Sequence, residues 1–300
     1  MGAMWFNFNV MPPAFKTVAL IGRYDTAEIA DSLLGLAGLL QQRGCAVLIE
    51  KETAANIGGN GFTAADYAAI GERADLAVVL GGDGSMLSAA RHLAAHGVPL
   101  VGVNQGRLGF MTDIAFSHMR ETIELLLSGR YTIGERTMLE VQVLRGEKEI
   151  FSTQALNDIV VNKGGTGRMI EFLVHIDGQF VYDLRSDGII VATPTGSTAY
   201  ALSSNGPILQ PNVPGLVLVP VCPHTLSNRP ITVSDRCVIE ITIKQRAVGA
   251  RLHFDGQPHS ELAAEDKVIV RRAAHSIRFV HPPGYSYYAM LREKLHWSEM

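Results

Sequence analysis

Apolar residues follow two rhythms along this chain of 300 residues. Up to residue 104 they fall in short unbroken runs: TVALIG at 17–22, AVLIE at 46–50, DLAVVL at 75–80 and LVGVN at 100–104. Unbroken runs of that length predict strands buried on both faces, as in a parallel sheet. Between the runs, apolar residues recur at helical spacing (Ile29, Leu33, Leu36 and Leu40 within 28–43), and a second helix is expected over 85–96. After Arg130 the texture changes. Strands are expected over 139–144, 159–162, 172–177, 188–192, 216–221, 238–243, 252–255 and 268–270, with turns such as Asp177-Gly178 and one short helix over 197–203. The chain therefore reads as a doubly wound α/β domain with a mostly parallel sheet over 17–130. A β-rich, mostly antiparallel domain follows over 131–275, and residues 1–16 form a loose extension.

Charge and cysteine content narrow the classes. Lys and Arg number 26 against 29 Asp and Glu, a net charge of −3, so neither nucleic acid nor an anionic membrane is an expected partner. No uninterrupted apolar run reaches about 18 residues, which leaves no predicted membrane span, and residues 1–16 lack the basic start and apolar stretch of a secretory signal. The three scattered cysteines, Cys45, Cys222 and Cys237, suit a reducing cytoplasm rather than a disulfide framework.

The thirty glycines are more telling, because several cluster where strands end. Gly81-Gly82-Asp83-Gly84-Ser85 stands between an apolar strand and a helix. Glycines let a backbone approach a ligand closely, and the helix start offers free N–H groups to a phosphate. A carboxylate there would repel a phosphate unless it works through Mg²⁺ or accepts a proton from an attacking hydroxyl. An equally weighted reading makes Asp83 a helix cap. A second glycine turn, 104–110, is expected at the same sheet edge. Neither a G-x-x-x-x-G-K-[ST] loop nor a G-x-G-x-x-G fingerprint occurs, since Leu87 stands where the third glycine would be.

The second half carries its own polar constellation. Asn157-Asp158 lies in an apolar surround, and Arg185-Ser186-Asp187-Gly188 precedes the strand IIVA. Thr193–Ser203 packs threonine, serine and glycine before a short helix, and Asp255-Gly256-Gln257 adds a carboxylate and an amide at a strand end. Hydroxyls, amides and exposed N–H groups of this kind suit ribose, phosphate and an amide-bearing ring, although each segment alone also reads as a turn or cap. His92 and His96 have zinc-helix spacing but lack the glutamate of a zincin, and Cys222-Pro223-His224 is a pair in sequence only.

Together Gly81–Ser85, Asn157-Asp158, Arg185–Gly188 and Thr193–Ser203 with Gly206-Pro207 resemble the bacterial NAD kinases, in the same order and over about 17–297. The Gly-Gly-Asp-Gly element is also found in lipid and phosphofructokinase-type kinases; the PTGSTAYALS run is far more specific. The chain departs from the family where Asn-Glu is usual, at Asn157-Asp158, and where Gly-Gly-Pro is usual, at Asn205-Gly206-Pro207.

The resemblance implies transfer of the γ-phosphoryl group of ATP to the 2′-hydroxyl of the adenosine ribose of NAD, with Mg²⁺, giving NADP. It implies Asp83 as base or orienting group and Gly84 against the nucleotide. Asn157 and Asp158 would hold ribose, and Arg168, Arg185 and Asp187 would flank the rest of the dinucleotide. Thr198, Ala199, Tyr200, Ala201, Leu202 and Ser203 would hold base and ribose, with Gln257 closing the site. It further implies a tail, about 276–300, returning to the first domain, and a homo-oligomer, dimer or tetramer. Two rival functions are a lipid kinase of the diacylglycerol type and a non-catalytic NAD(P)-binding regulator.

Overall fold

The computed structural model describes residues 14–22, 27–58, 61–104, 106, 109–165, 168–225, 227–244 and 249–297. Most of the expected N-terminal extension, and Gln105, Arg107 and Leu108 of the second glycine turn, lie outside the described residues. The chain divides into two units, 1–86 with 98–133 and 280–300, and 87–97 with 134–279. Residues 87–97, expected in the first domain, thus group with the second, where Arg91 is ion-paired to Asp255.

In the first unit the elements alternate: β1 (Thr17–Gly22), α1 (Ala27–Gln42), β2 (Ala46–Glu50), α2 (Lys51–Ile57), β3 (Thr63–Ala65), α3 (Tyr67–Arg73), β4 (Leu76–Leu80), α4 (Asp83–Leu93) and β5 (Leu100–Asn104). The strands stand in the order β3-β2-β1-β4-β5, and each neighbouring pair is parallel. Every residue of β4 and β5 is buried, as their unbroken apolar runs require. A short strand β6 (Ile114–Ala115) and helix α5 (Met119–Leu127) follow. Val18, Leu20, Val78 and Leu80 share one apolar cluster with Leu33, Leu36 and Leu40 of α1 and Ile123 and Leu126 of α5. The short helices α2 and α3 start on acidic caps. Glu50 accepts from the Glu52 and Thr53 N–H groups at 2.9 and 2.8 Å, and Asp66 accepts from Ala69 N–H at 2.8 Å.

The second unit holds two antiparallel six-stranded sheets, preceded by β7 (Thr132–Arg136), which crosses the division. Its strands are β8 (Leu139–Arg145), β9 (Lys148–Ala155), β10 (Asp158–Asn162), β11 (Ile170–Ile176), β12 (Gln179–Ser186) and β13 (Gly188–Ala192). After the short helix α6 (Tyr200–Ser203) come β14 (Gly215–Val221), β15 (Ile231–Ser234), β16 (Ile239–Ile243), β17 (Arg251–Phe254), β18 (Gln257–Glu261) and β19 (Lys267–Arg272). One sheet runs β15-β14-β13-β10-β17-β18, the other β12-β11-β16-β19-β8-β9. Their facing residues, among them Phe172, Ile189, Val191, Ile241, Leu252 and Val268, make one core. Strand β13 is buried throughout because it has a second apolar face: Ile190 and Ala192 pack with Val160, Val217, Val219 and Ala201. Strand β20 (Ile277–His281) and helix α7 (Tyr287–Leu295) end the described chain.

Candidate functional site

The glycine turn of the first unit positions one carboxylate. Helix α4 begins at Asp83 itself rather than at Ser85, and the Asp83 side chain reaches away from its own helix. Its two oxygens accept from the backbone N–H groups of Phe110, at 2.9 Å, and Met111, at 3.1 Å. The second glycine turn is what brings those donors close. A Cβ on Gly109 would overlap the Asp83 carboxylate, so only glycine lets the two loops meet. That loop is braced from below by buried Asn104, which donates to Thr112 Oγ1 at 3.0 Å while its own oxygen accepts from Gly106 N–H at 2.6 Å. Thr112 Oγ1 also accepts from Gly109 N–H at 3.0 Å. Each carboxylate oxygen engaged by a single N–H retains a lone pair for a further partner. Asp83 is half-buried and Gly84 exposed, so the turn is open to a ligand.

In the second unit a cavity of about 350 Å³ gathers Asn157, Asp158, Ala199 and Tyr200 with Val160, Asn162, His253, Asp255 and Gly256. Its floor follows from strand register. Val160 pairs with His253 in the antiparallel β10–β17 ladder, so Asp158, Val160, Asn162 and His253 share one face while Ile159, Val161 and Leu252 enter the core. Asp255, in a left-handed turn at φ 47°, is the clamp of this site. Its fully buried carboxylate takes Arg91 Nη1 at 2.7 Å and the N–H groups of Leu156 at 3.1 Å and Asn157 at 2.7 Å. Burial, and then the neighbouring Asp255 carboxylate, push the Asp158 carboxyl up to about 7. Asn157 Oδ1 is buried with no hydrogen-bond partner among the described residues. Such an atom is costly unless a ligand or water completes it.

The hydroxyl-rich run after β13 is knotted to this floor. Thr193 Oγ1 donates to Leu156 C=O at 2.6 Å, and its backbone N–H donates to Asn157 C=O at 2.9 Å. A side chain on Gly196 would overlap the Asn157 backbone, which fixes glycine there. Ser197 Oγ donates to Pro194 C=O at 2.6 Å, and Thr198 Oγ1 to Thr195 C=O at 3.1 Å. These hydroxyls serve the loop's own geometry. Ala201 is fully buried in the cluster around Val160, so it packs rather than presents itself to a ligand. Leu202 is half-buried and Tyr200 44% exposed at the cavity wall. Ser203 lines a different cavity, of about 580 Å³, with Cys222, Asn228 and Arg229. Arg168, Arg185 and Gln257 are exposed, and Asp187 is paired with Lys163 at 2.9 Å. Sequence reasoning missed His253 and the bracing role of Asn104, and it cast Asp255 as one more polar group rather than as the clamp.

The raised Asp158 carboxyl carries a pH consequence. A group whose folded value lies above its unfolded value near 3.9 contributes stability at low pH that is lost as pH rises through about 7. Asp158→Asn, which fixes the neutral shape, should therefore gain on the native protein across that window. The slope is about 1.4 kcal/mol per pH unit where the two states differ by one proton. Thermal melts at about pH 5 and about pH 8 measure it; an equal difference at both would show that Asp158 titrates normally.

Two family models match this chain: the ATP-NAD kinase N-terminal domain over residues 18–131 and the ATP-NAD kinase C-terminal domain over 156–282. Among curated relatives, an NAD kinase of Aromatoleum aromaticum is 56% identical over 296 residues, covering 98% of each chain. One from an Azoarcus species is 56% identical over 289 residues, 96% of this chain and 98% of that one. Yeast NADH kinase, solved in complex with NADH, superposes with a TM-score of 0.88 at 26% identity, over 97% of this chain and 90% of that one. An NAD kinase from Archaeoglobus fulgidus in complex with ATP gives 0.70 at 22% identity, over 93% and 97%, a likeness of fold.

Proposed function

This chain belongs to the NAD kinase family, and from that premise we propose how its own residues carry the reaction. The protein phosphorylates NAD with ATP. The acceptor is the 2′-hydroxyl of the adenosine ribose. That hydroxyl is a weak nucleophile, and the reaction needs a carboxylate within hydrogen-bond reach to orient it and take its proton as the O–P bond to the γ-phosphorus forms and ADP leaves. Asp83 is that carboxylate. The observation carrying this reading is its grip by Phe110 and Met111 N–H, which aims the group while leaving each oxygen able to accept from a hydroxyl. Gly84 lies against the nucleotide. Asn157, Asp158 and Tyr200 hold base and ribose in the cavity of the second unit, where the unpartnered Asn157 Oδ1 is ready for a donor on the ligand. Arg168, Arg185 and Asp187 serve the remainder of the dinucleotide.

No group of three or more His, Cys, Asp or Glu side chains converges on a metal position among the described residues. Mg²⁺ carried chiefly by substrate phosphates and water would fit beside the Asp83 carboxylate of the glycine turn, whose two oxygens each keep a lone pair. The ion supplies neutralisation of charge on the transferring phosphoryl group. Among the described residues no helix is long and apolar enough to cross a membrane. The family resemblance supports a cytoplasmic homo-oligomer.

Incubation with ATP, Mg²⁺ and NAD, followed by a coupled NADP-dependent dehydrogenase, is expected to give NADP formation that stops on chelation. A parallel reaction with diacylglycerol is expected to give nothing. The buried polar groups of the cavity would stay unpaired against a lipid chain, at roughly 1–3 kcal/mol each. Phosphorylated lipid without NADP would overturn the assignment, and NAD binding without product would make the protein a regulator.

A further inference from the structure

His253 lies on β17 at the edge of the 350 Å³ cavity, paired with Val160 and two residues before the turn at Asp255. Its Nε2 is buried and has no hydrogen-bond partner among the described residues. A histidine nitrogen on a cavity floor without a partner is an unfilled position of the same kind as Asn157 Oδ1 nearby. Asn157, the residue before β10, and His253 of β17 line the same cavity, so a single bound molecule can engage both unpaired atoms. The torsion that turns an imidazole is broad, so the ring can rotate to present the nitrogen to a ligand.

The chemistry of the missing partner follows from the surroundings. Burial, and then the charge of Arg251, hold the His253 imidazole below the ordinary histidine range, so near neutral pH the ring is uncharged. An uncharged imidazole offers one donor and one acceptor. Among the described residues that line this cavity none is a lysine or arginine, so nothing there compensates the charge of a phosphate. The group that suits this position is neutral and polar: a ribose hydroxyl or the amino and ring-nitrogen edge of a base. The apolar walls, Leu87, Val160 and Ala199, suit the flat face of such a base.

We infer that His253 is a further acceptor-binding residue, whose Nε2 hydrogen-bonds a neutral polar group of the adenosine half of NAD. This rests on the reading that the cavity receives NAD. The role sets His253 apart from a core histidine, which would lose nothing but packing on substitution.

The test uses the full-length enzyme with His253→Leu and His253→Gln. Loss of one hydrogen bond in a buried polar site is expected to raise KM for NAD about tenfold in His253→Leu, with KM for ATP within about twofold. His253→Gln, whose amide can stand near the Nε2 position, is expected to recover most of that loss. Should the leucine variant fold poorly, the imidazole resonances of the unmodified protein provide a second measurement. The signal that disappears in His253→Gln should shift when NAD is titrated and stay fixed when ATP is. A rise in KM for ATP alone, no change in either KM, or an unmoved His253 signal under saturating NAD would overturn the inference. An unmodified enzyme that makes no NADP would instead defeat the functional reading, so the two failures are distinguishable.

Discussion

Asp83→Asn is expected to lower kcat by about 10²–10⁴ while KM for NAD stays within a few-fold, because the change removes a proton acceptor and leaves the binding groups of the second unit alone. The geometry adds a second, separable effect. Asp83 accepts from two N–H groups, and an asparagine can present only one oxygen to them; its NH₂ group would face the other donor. The variant should therefore also lose about 1.5–3 kcal/mol of stability, the worth of a hydrogen bond to a charged group. Turnover measured well below the melting temperature separates the two. If kcat holds while only the melting point falls, Asp83 is a latch between the two glycine turns and the base must be sought elsewhere.

The largest loss of stability is expected from Asp255→Ala. The Asp255 carboxylate is fully buried, and its ion pair with Arg91 leaves that guanidinium only 14% exposed. Truncating it strands a buried cation and the N–H groups of Leu156 and Asn157, a cost of about 3–5 kcal/mol for one broken buried pair. Chemical denaturation read by circular dichroism measures it. The Asn157-Asp158 segment loses its anchor as well, so NAD affinity should fall even where the protein remains folded. A variant with unchanged stability would show that Arg91 and the freed N–H groups find water, and that the clamp is not needed.

Much of the architecture was legible because it rests on local pattern. The four apolar runs of the first unit became β1, β2, β4 and β5 within a residue of their expected bounds, since a strand covered on both faces must be apolar throughout. The helices α2 and α3 escaped because seven residues are too few to display a helical period, and they depend on the acidic caps Glu50 and Asp66. The candidate site was legible as segments and not as contacts. His253 and Asp255 meet the Asn157-Asp158 strand only through antiparallel pairing of residues far apart in the chain, and nothing in the local sequence announces that register. The hydroxyls of Thr193, Ser197 and Thr198 looked available to a ligand, yet the loop itself uses each of them. Ala201 sits in the most specific motif of the chain and is a packing residue.

Because residues 280–300 belong to the first unit, the order of synthesis and the order of completion are reversed. Val280 enters the same apolar cluster as β1 and β4, so the first unit emerges from the ribosome with a gap in its core. The whole of 134–279 must be made before that gap can close, a wait on the order of ten seconds at ordinary elongation rates. By then the second unit already has every segment it needs. A stop codon shortly before Val280 would therefore spare the later half of the polypeptide and leave the earlier half, made first, unfinished.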